Sequence, residues 1–296
     1  MNHVKCNLCG ADDYEVLFEK RPDRGVAHRI VRCRHCQLMY ANPQEVIDCE
    51  EYAKPEAFND AEENSPYYLK QLVQVPDNLR ALKVLNEWFP KRGHLLEVGS
   101  CTGIFLDQIR SSGWETTGLE PHRGLARHAR EKFKLNVINS VLPHPDLVPG
   151  SYDAVIMLHV IEHMPDPSSS IRELRRLLKP GGALVVETPR FDSLTFKILR
   201  SRERSINNCP GHIYFFTVPA LRRLVEQAGF ELARTELVGR TLTLDRFLYN
   251  VALMTRHPGT RRLIGNLSHR LGLSRIRFHV NFHDMQRLYF RACPPK

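Results

Sequence analysis

The stretch Leu95-Leu-Glu-Val-Gly99-Ser-Cys-Thr-Gly103-Ile-Phe-Leu106 decides the fold. The apolar run before Gly99 reads as a strand buried on both faces, and Ile104, Phe105, Leu106 and Ile109 recur at helical spacing after it. In the turn between them, Gly99 and Gly103 let backbone approach backbone and ligand, and a helix starting near Thr102 aims unpaired N–H groups above the sheet. A dinucleotide fold needs Gly-x-Gly-x-x-Gly at such a corner so that pyrophosphate can sit on the helix N-terminus. Here the spacing is Gly99-x-x-x-Gly103 with Cys101 at the middle glycine, which argues against a nicotinamide cofactor.

Outward from this corner, strands and helices alternate. Thr116 to Glu120, Val137–Ile138, Tyr152 to Leu158 and Ala183 to Glu187 read as strands, with helices over Leu125 to Phe133 and Ile171 to Leu178. That alternation predicts an α/β protein with a doubly wound, mostly parallel sheet and a ligand at the carboxyl ends of its strands. Upstream, Asp77 to Phe89 reads as an amphipathic helix, and residues 43–76 read as irregular linker or lid helices. Downstream come a basic insertion over 190–215 with an apolar helical piece at Leu194 to Leu199, and a helix over Val218 to Ala228. A strand over Glu231 to Val238, a basic helical insertion over 245–277 and a strand pair within Phe278 to Ala292 complete the reading. The predicted domains are 1–42, the linker 43–76 and a core over 77–296.

Cys6-x-x-Cys9 and Cys33-x-x-Cys36 each offer two thiolates on a tight turn, and 23 residues separate the knuckles. The pattern predicts a zinc ribbon, a closed four-sulfur site with a structural role. Nucleic-acid contact is the competing role. The chain has 296 residues, 42% of them hydrophobic and 25% charged, enough for one full α/β domain and a small appendage. No apolar run approaches the roughly 18 residues of a membrane span. Met1-Asn-His-Val-Lys-Cys6 lacks the apolar core of a signal peptide, so the expected location is cytoplasmic. The net charge of +9, with arginines dense in 172–204 and 256–277, favours an acidic partner, either nucleic acid, an anionic small molecule or an anionic membrane surface. A merely solvated basic face is the alternative. Oligomeric state stays open.

Glu97 followed by Gly99 and Gly103 resembles the first motif of class I S-adenosylmethionine-dependent methyltransferases. Leu119-Glu120-Pro121 matches their second motif, and Ser151 to Pro167 running on to Leu178-Lys-Pro-Gly-Gly182 resembles the fourth-strand region of ubiquinone-pathway O-methyltransferases. The resemblance covers about Leu95 to Pro189. It implies a seven-stranded Rossmann-like sheet and S-adenosylmethionine bound by Glu97, Gly99, Ser100, Cys101, Thr102 and Gly103. Glu120 and Pro121 would lie at the ribose, Val141 and Leu142 at the adenine, Leu158 and His159 at the end of the fourth strand, and Arg80 at the methionine carboxylate.

His159, Glu162 and His163 stand at i, i+3 and i+4 and would share one face of a helix. Three readings compete. One of the histidines is a general base for a hydroxyl acceptor, with His159 placed first at the strand end; or the group holds a divalent ion; or Glu162 and His163 anchor the loop by hydrogen bonds. Gly211-His212-Ile-Tyr214-Phe-Phe-Thr217 resembles a family segment whose histidine faces the substrate pocket, making His212 and Tyr214 further candidates. The expected function is methyl transfer to a small acceptor, on oxygen of a glycan, sugar nucleotide or secondary metabolite. An RNA methyltransferase and a non-catalytic zinc adaptor with a relic cofactor fold are the rivals.

Overall fold

The computed structural model describes residues 2–20, 28–44, 66–203, 206, 211–245, 247–248 and 271–294. Most of the expected lid segment (45–65) and of the basic insertion (249–270) lies outside the described residues. At the N-terminus, β1 (Tyr14–Lys20) and β2 (His28–Cys33) form an antiparallel hairpin between the two cysteine knuckles, and β3 (Met39–Ala41) adds to β2 after the second.

The core sheet contains β4 (His94–Val98), β5 (Glu115–Leu119), β6 (Val137–Ile138), β7 (Tyr152–Leu158) and β8 (Leu178–Pro189), all parallel. After β9 (Tyr214–Phe215), β10 (Phe230–Leu237), β11 (Arg240–Thr243) and β12 (Arg277–Val280), the chain closes with β13 (Met285–Ala292). β13 lies antiparallel between β8 and β10, giving seven strands in the order β10-β13-β8-β7-β4-β5-β6. The mostly parallel α/β sheet is therefore as predicted, but the strand pair expected within Phe278 to Ala292 is not formed. β12 pairs with β11, and β13 enters the main sheet. Both strands found partners distant in sequence, which local alternation cannot reveal.

Side chains alternate across this sheet. Leu95, Ala154, Ile156, Ala183, Val185 and Tyr289 pack under α1 (Pro66–Trp88), α2 (Ile104–Ser111) and α3 (Arg123–Phe133). Leu96, Val98, Val155, Met157, Leu184 and Phe290 face α4 (Pro167–Leu177) and, beyond the short α5 (Leu194–Leu199), α6 (Val218–Glu226). The N-terminal hairpin joins this second layer, with Cys6, Cys33 and Tyr40 buried in the same core. α4 starts where Asp166 caps Ser169 N–H at 2.9 Å with Pro167 in the first turn, a pairing that satisfies one orphan donor and presets φ.

α1 corrects the expected boundary at Asp77. It begins at Pro66 and carries Pro76 inside it. A proline there removes one backbone hydrogen bond and crowds the preceding turn, yet tertiary contact keeps the helix continuous. Tyr68 is buried, meets the His128 ring edge-on and accepts a hydrogen bond from Lys132 Nζ at 3.1 Å. Across the expected boundary at residue 42, β3 pairs with β9, which lies inside the expected insertion over 190–215. No helix among the described residues is long and apolar enough to cross a membrane.

Candidate active site

At the end of β4 the chain turns through three left-handed residues, Gly99 (φ +76°), Cys101 (φ +50°) and Gly103 (φ +82°). A Cβ on Gly99 would stand 2.5 Å from Val160 Cγ2, and one on Gly103 2.7 Å from Ala129 Cβ. Gly99 thus lets the turn pass under the loop after β7, whereas Gly103 serves the approach of α2 to α3. Cys101 adopts the conformation a middle glycine would take, at a cost of about 1–2 kcal/mol. Its N–H is held by Glu120 Oε2 at 2.8 Å.

Two buried carboxylates flank this turn. Burial, and secondly the charge of Glu120, push Glu97 well above the usual carboxylate range, and its Oε2 has no hydrogen-bond partner. Burial also raises Glu120, against the pull of N–H groups from His122 and Cys101 on its two oxygens. Among the described residues no basic side chain pairs with either. Such a pair disfavours phosphate and suits a ligand bearing positive charge, as the ammonium and sulfonium of S-adenosylmethionine do.

The other expected cofactor residues divide. Ser100 packs its hydroxyl against Gly118, where a Cβ would come within 2.7 Å, and Thr102 donates to Gln71 Oε1 on α1. Both fasten the turn. Asn139 Nδ2 donates to the carbonyls of Glu120 and Pro121, fixing that corner. Val141 is exposed beyond β6, and Leu158 is half-buried at the end of β7. Arg80 Nη1 lies 3.1 Å from His279 Nε2 on β12. Gln71, Gly118 and Asn139 had no sequence signal, since each acts through a partner distant in the chain.

A second cluster follows β7. His159 is left-handed (φ +58°), and only Ile161–His163 form a short 3₁₀ turn, so the helical face expected for 159, 162 and 163 is replaced by a tighter bend. The His159 ring, 40% exposed, lies between two carboxylates, with Nε2 3.2 Å from Glu187 Oε1 and Nδ1 3.7 Å from Glu162 Oε1. Desolvation opposes its charge, but the two carboxylates prevail and raise it to about 9. The two carboxylates thus favour the imidazolium form of His159. Glu187 is held at about 2 despite burial, chiefly by Arg287 and then by His159.

His163 and His212 meet edge to face, ring centroids 4.6 Å apart, and His163 Nδ1 stands 2.6 Å from the carbonyl of Gly211. A carbonyl only accepts, so Nδ1 carries the proton and Nε2 is the basic nitrogen. Glu162 is 1% exposed with no hydrogen bond to either oxygen, and ligand atoms of Glu162, His163 and His212 all lie within 4.8 Å of one another. Burial alone would raise Glu162, but His159, His163 and His212 together lower it. Tyr214, in contrast, is buried in β9 with its hydroxyl on the Pro165 carbonyl at 3.2 Å, away from this cluster. Burial pushes it up to about 12.

In the N-terminal hairpin, the sulfur atoms of Cys6, Cys9, Cys33 and Cys36 lie within 4.8 Å of one another, with Cys6 3.3 Å from Cys36 and Cys9 3.5 Å from Cys33. Sulfurs about 2.3 Å from a tetrahedral zinc stand about 3.8 Å apart, so the four fit that ion after small adjustments.

Sheet order and glycine turn together define the fold of the class I S-adenosylmethionine-dependent methyltransferases. Residues 68–235 match the family described as "Methyltransferase domain", and the chain belongs to that family. It is similar to ubiquinone biosynthesis O-methyltransferases of Sodalis glossinidius (35% identity over 101 residues, 32% of this chain and 41% of that protein) and Vibrio cholerae (36% over 113 residues, 36% and 45%). It is also 30% identical over 142 residues to a probable S-adenosylmethionine-dependent methyltransferase of Mycolicibacterium smegmatis, covering 48% of this chain and 53% of that one. The chain thus spans about half the length of these relatives. The fold is shared with a SAM-dependent methyltransferase from Archaeoglobus fulgidus, at TM-score 0.51 and 18% identity over 77% of this chain and 100% of that one.

Proposed function

We propose that this protein transfers the methyl group of S-adenosylmethionine to an oxygen of a small acceptor. The observation that carries the reading is the pair of buried carboxylates, Glu97 and Glu120, at the glycine turn with no basic partner among the described residues. When bound, the cofactor supplies a methyl group on a positively charged sulfur. Glu97, Glu120 and the turn hold and orient it. The Glu162–His163–His212 cluster, beyond the end of β7, receives the acceptor, and His163 Nε2 takes the proton that its hydroxyl loses. Most of the rate comes from alignment and exclusion of water. The O-methyltransferase names of the relatives support an oxygen acceptor, and the net charge of +9 favours an anionic one such as a glycan or sugar nucleotide. We further propose that the four cysteines hold a structural zinc.

A second reading of the acceptor site rests on the buried carboxylate of Glu162, which has an ion pair with His159 but no hydrogen bond to either oxygen. With two imidazoles beside it, it forms a donor set suited to a divalent first-row ion, which would acidify a bound acceptor hydroxyl.

Calorimetry with S-adenosylhomocysteine tests the main proposal. Micromolar binding that weakens at least about tenfold in Glu120→Ala, on the scale of a lost charged hydrogen bond, supports it. No binding at millimolar ligand by the folded protein overturns it in favour of a zinc adaptor. Salt-sensitive retention of RNA would move the acceptor to nucleic acid.

A further inference from the structure

The N-terminal hairpin does not hang from the core as a tag. It grips both loops that carry the Glu162–His163–His212 cluster. Asn7, inside the first cysteine knuckle, donates from Nδ2 to Asp166 Oδ1 at 2.9 Å and accepts Ser168 N–H on Oδ1 at 2.9 Å, while its carbonyl takes the Ser168 hydroxyl at 2.8 Å. That clamp fixes the chain just after Glu162 and His163, at the capped start of α4. On the other side, β3 pairs with β9 through Met39↔Phe215 and Tyr40↔Tyr214, and Ala41 N–H donates to the Ile213 carbonyl at 2.8 Å. Ile213 in turn donates its N–H to the Glu162 carbonyl at 2.9 Å. The residue beside His212 is thus strung between the hairpin and Glu162. Tyr214 ties the two loops together through Pro165.

A hairpin this small does not build a core sufficient to hold itself, and a four-thiolate ion is the usual staple. We infer that the metal in the cysteine cage is a positioning element for the Glu162–His163–His212 cluster, acting through Asn7 on the 160–168 loop and through β3 on the 211–215 segment. This rests on the zinc and acceptor-site readings above. It assigns the hairpin a role inside the enzyme: the knuckle side chain of Asn7, which a nucleic-acid module would turn outward, is spent on α4.

Hydrogen exchange by mass spectrometry on the full zinc-loaded chain tests this without an acceptor. Asn7→Ala keeps all four cysteines and should retain one zinc, yet exchange in the 160–168 peptide should quicken about tenfold, the scale of one or two lost hydrogen bonds. Stripping zinc with a chelator should quicken both 160–168 and 211–216. Peptides over β4 and β5 should stay protected, and affinity for S-adenosylhomocysteine should change less than about twofold. Unchanged exchange in both loops after zinc removal, or loss of protection throughout the core sheet, overturns the inference. Failure of the wild-type protein to bind S-adenosylhomocysteine would instead strike the methyltransferase reading and leave the exchange result standing by itself.

Discussion

Arg287 and Glu187 face each other across β13 and β8, and Arg287 Nε donates to Glu187 Oε2 at 2.6 Å while Nη2 donates to the Asp77 carbonyl at 3.0 Å. Glu236 stands opposite Arg287 on the other flank, so one rung of the sheet reads glutamate, arginine, glutamate. Arg287 is 1% exposed. Removing one partner of such a buried pair strands the other, so Arg287→Met should cost about 3–5 kcal/mol in a denaturant titration. A loss below about 1 kcal/mol would mean that the rung is solvated in solution.

His159 feels the same rung through Glu187. Its ring protons should titrate by NMR near pH 9 and move back toward the ordinary value of 6.5 in Glu187→Gln. Because the folded value is raised, His159 lends stability that is complete below about pH 6.5 and fades as pH climbs through about 9. Glu187, depressed to about 2, lends stability that is complete above about 4.5 and fades as pH falls through about 2. Melting temperatures at pH 7 and pH 10 should therefore differ more in the parent protein than in His159→Asn. Equal alkaline losses would rule out the paired imidazolium. Exposure of the ring to solvent keeps the effect small.

Two glycines separate strain from crowding. Gly150→Ala meets nothing within 4 Å and suffers only its left-handed φ of +63°, about 1–2 kcal/mol. Gly99→Ala adds to its left-handed φ a contact of 2.5 Å with the Val160 side chain, which must shift, so it should lose more stability and also weaken S-adenosylhomocysteine binding. Equal losses in the two variants would show that the turn yields freely.

Manganese tests the cation reading of the acceptor site, because thiolate cages take it poorly. The zinc-loaded protein should bind one Mn2+ by electron paramagnetic resonance, and Glu162→Gln should abolish that binding. A spectrum of free manganese throughout leaves His163 as the base acting alone.

Sequence periodicity located the parts whose contacts are local. Tyr152–Leu158 and Leu194–Leu199 have the limits that their patterns predict, and Glu97, Glu120 and the two turn glycines gather at one rim. What escaped it was pairing at a distance. Arg287 lies 100 residues beyond Glu187, and its effect on His159 depends on β13 slipping between two strands that precede it. Pro76 hid the start of α1, because the contacts that hold that helix come from residues distant in the chain, Thr102, His128, Lys132 and Thr241 among them.

α1 is bolted at two stations. Gln71 meets Thr102 on the glycine turn, whereas Asp77 receives Arg287 on its carbonyl and Thr241 N–H on its carboxylate at 2.6 Å. Pro76, deprived of its donor, falls between them. The rod is therefore braced on both sides of its missing hydrogen bond, against the glycine turn in front and the charged rung behind. Gln71→Ala should weaken S-adenosylhomocysteine binding by loosening the front brace; unaltered affinity would show that the turn keeps its shape without α1.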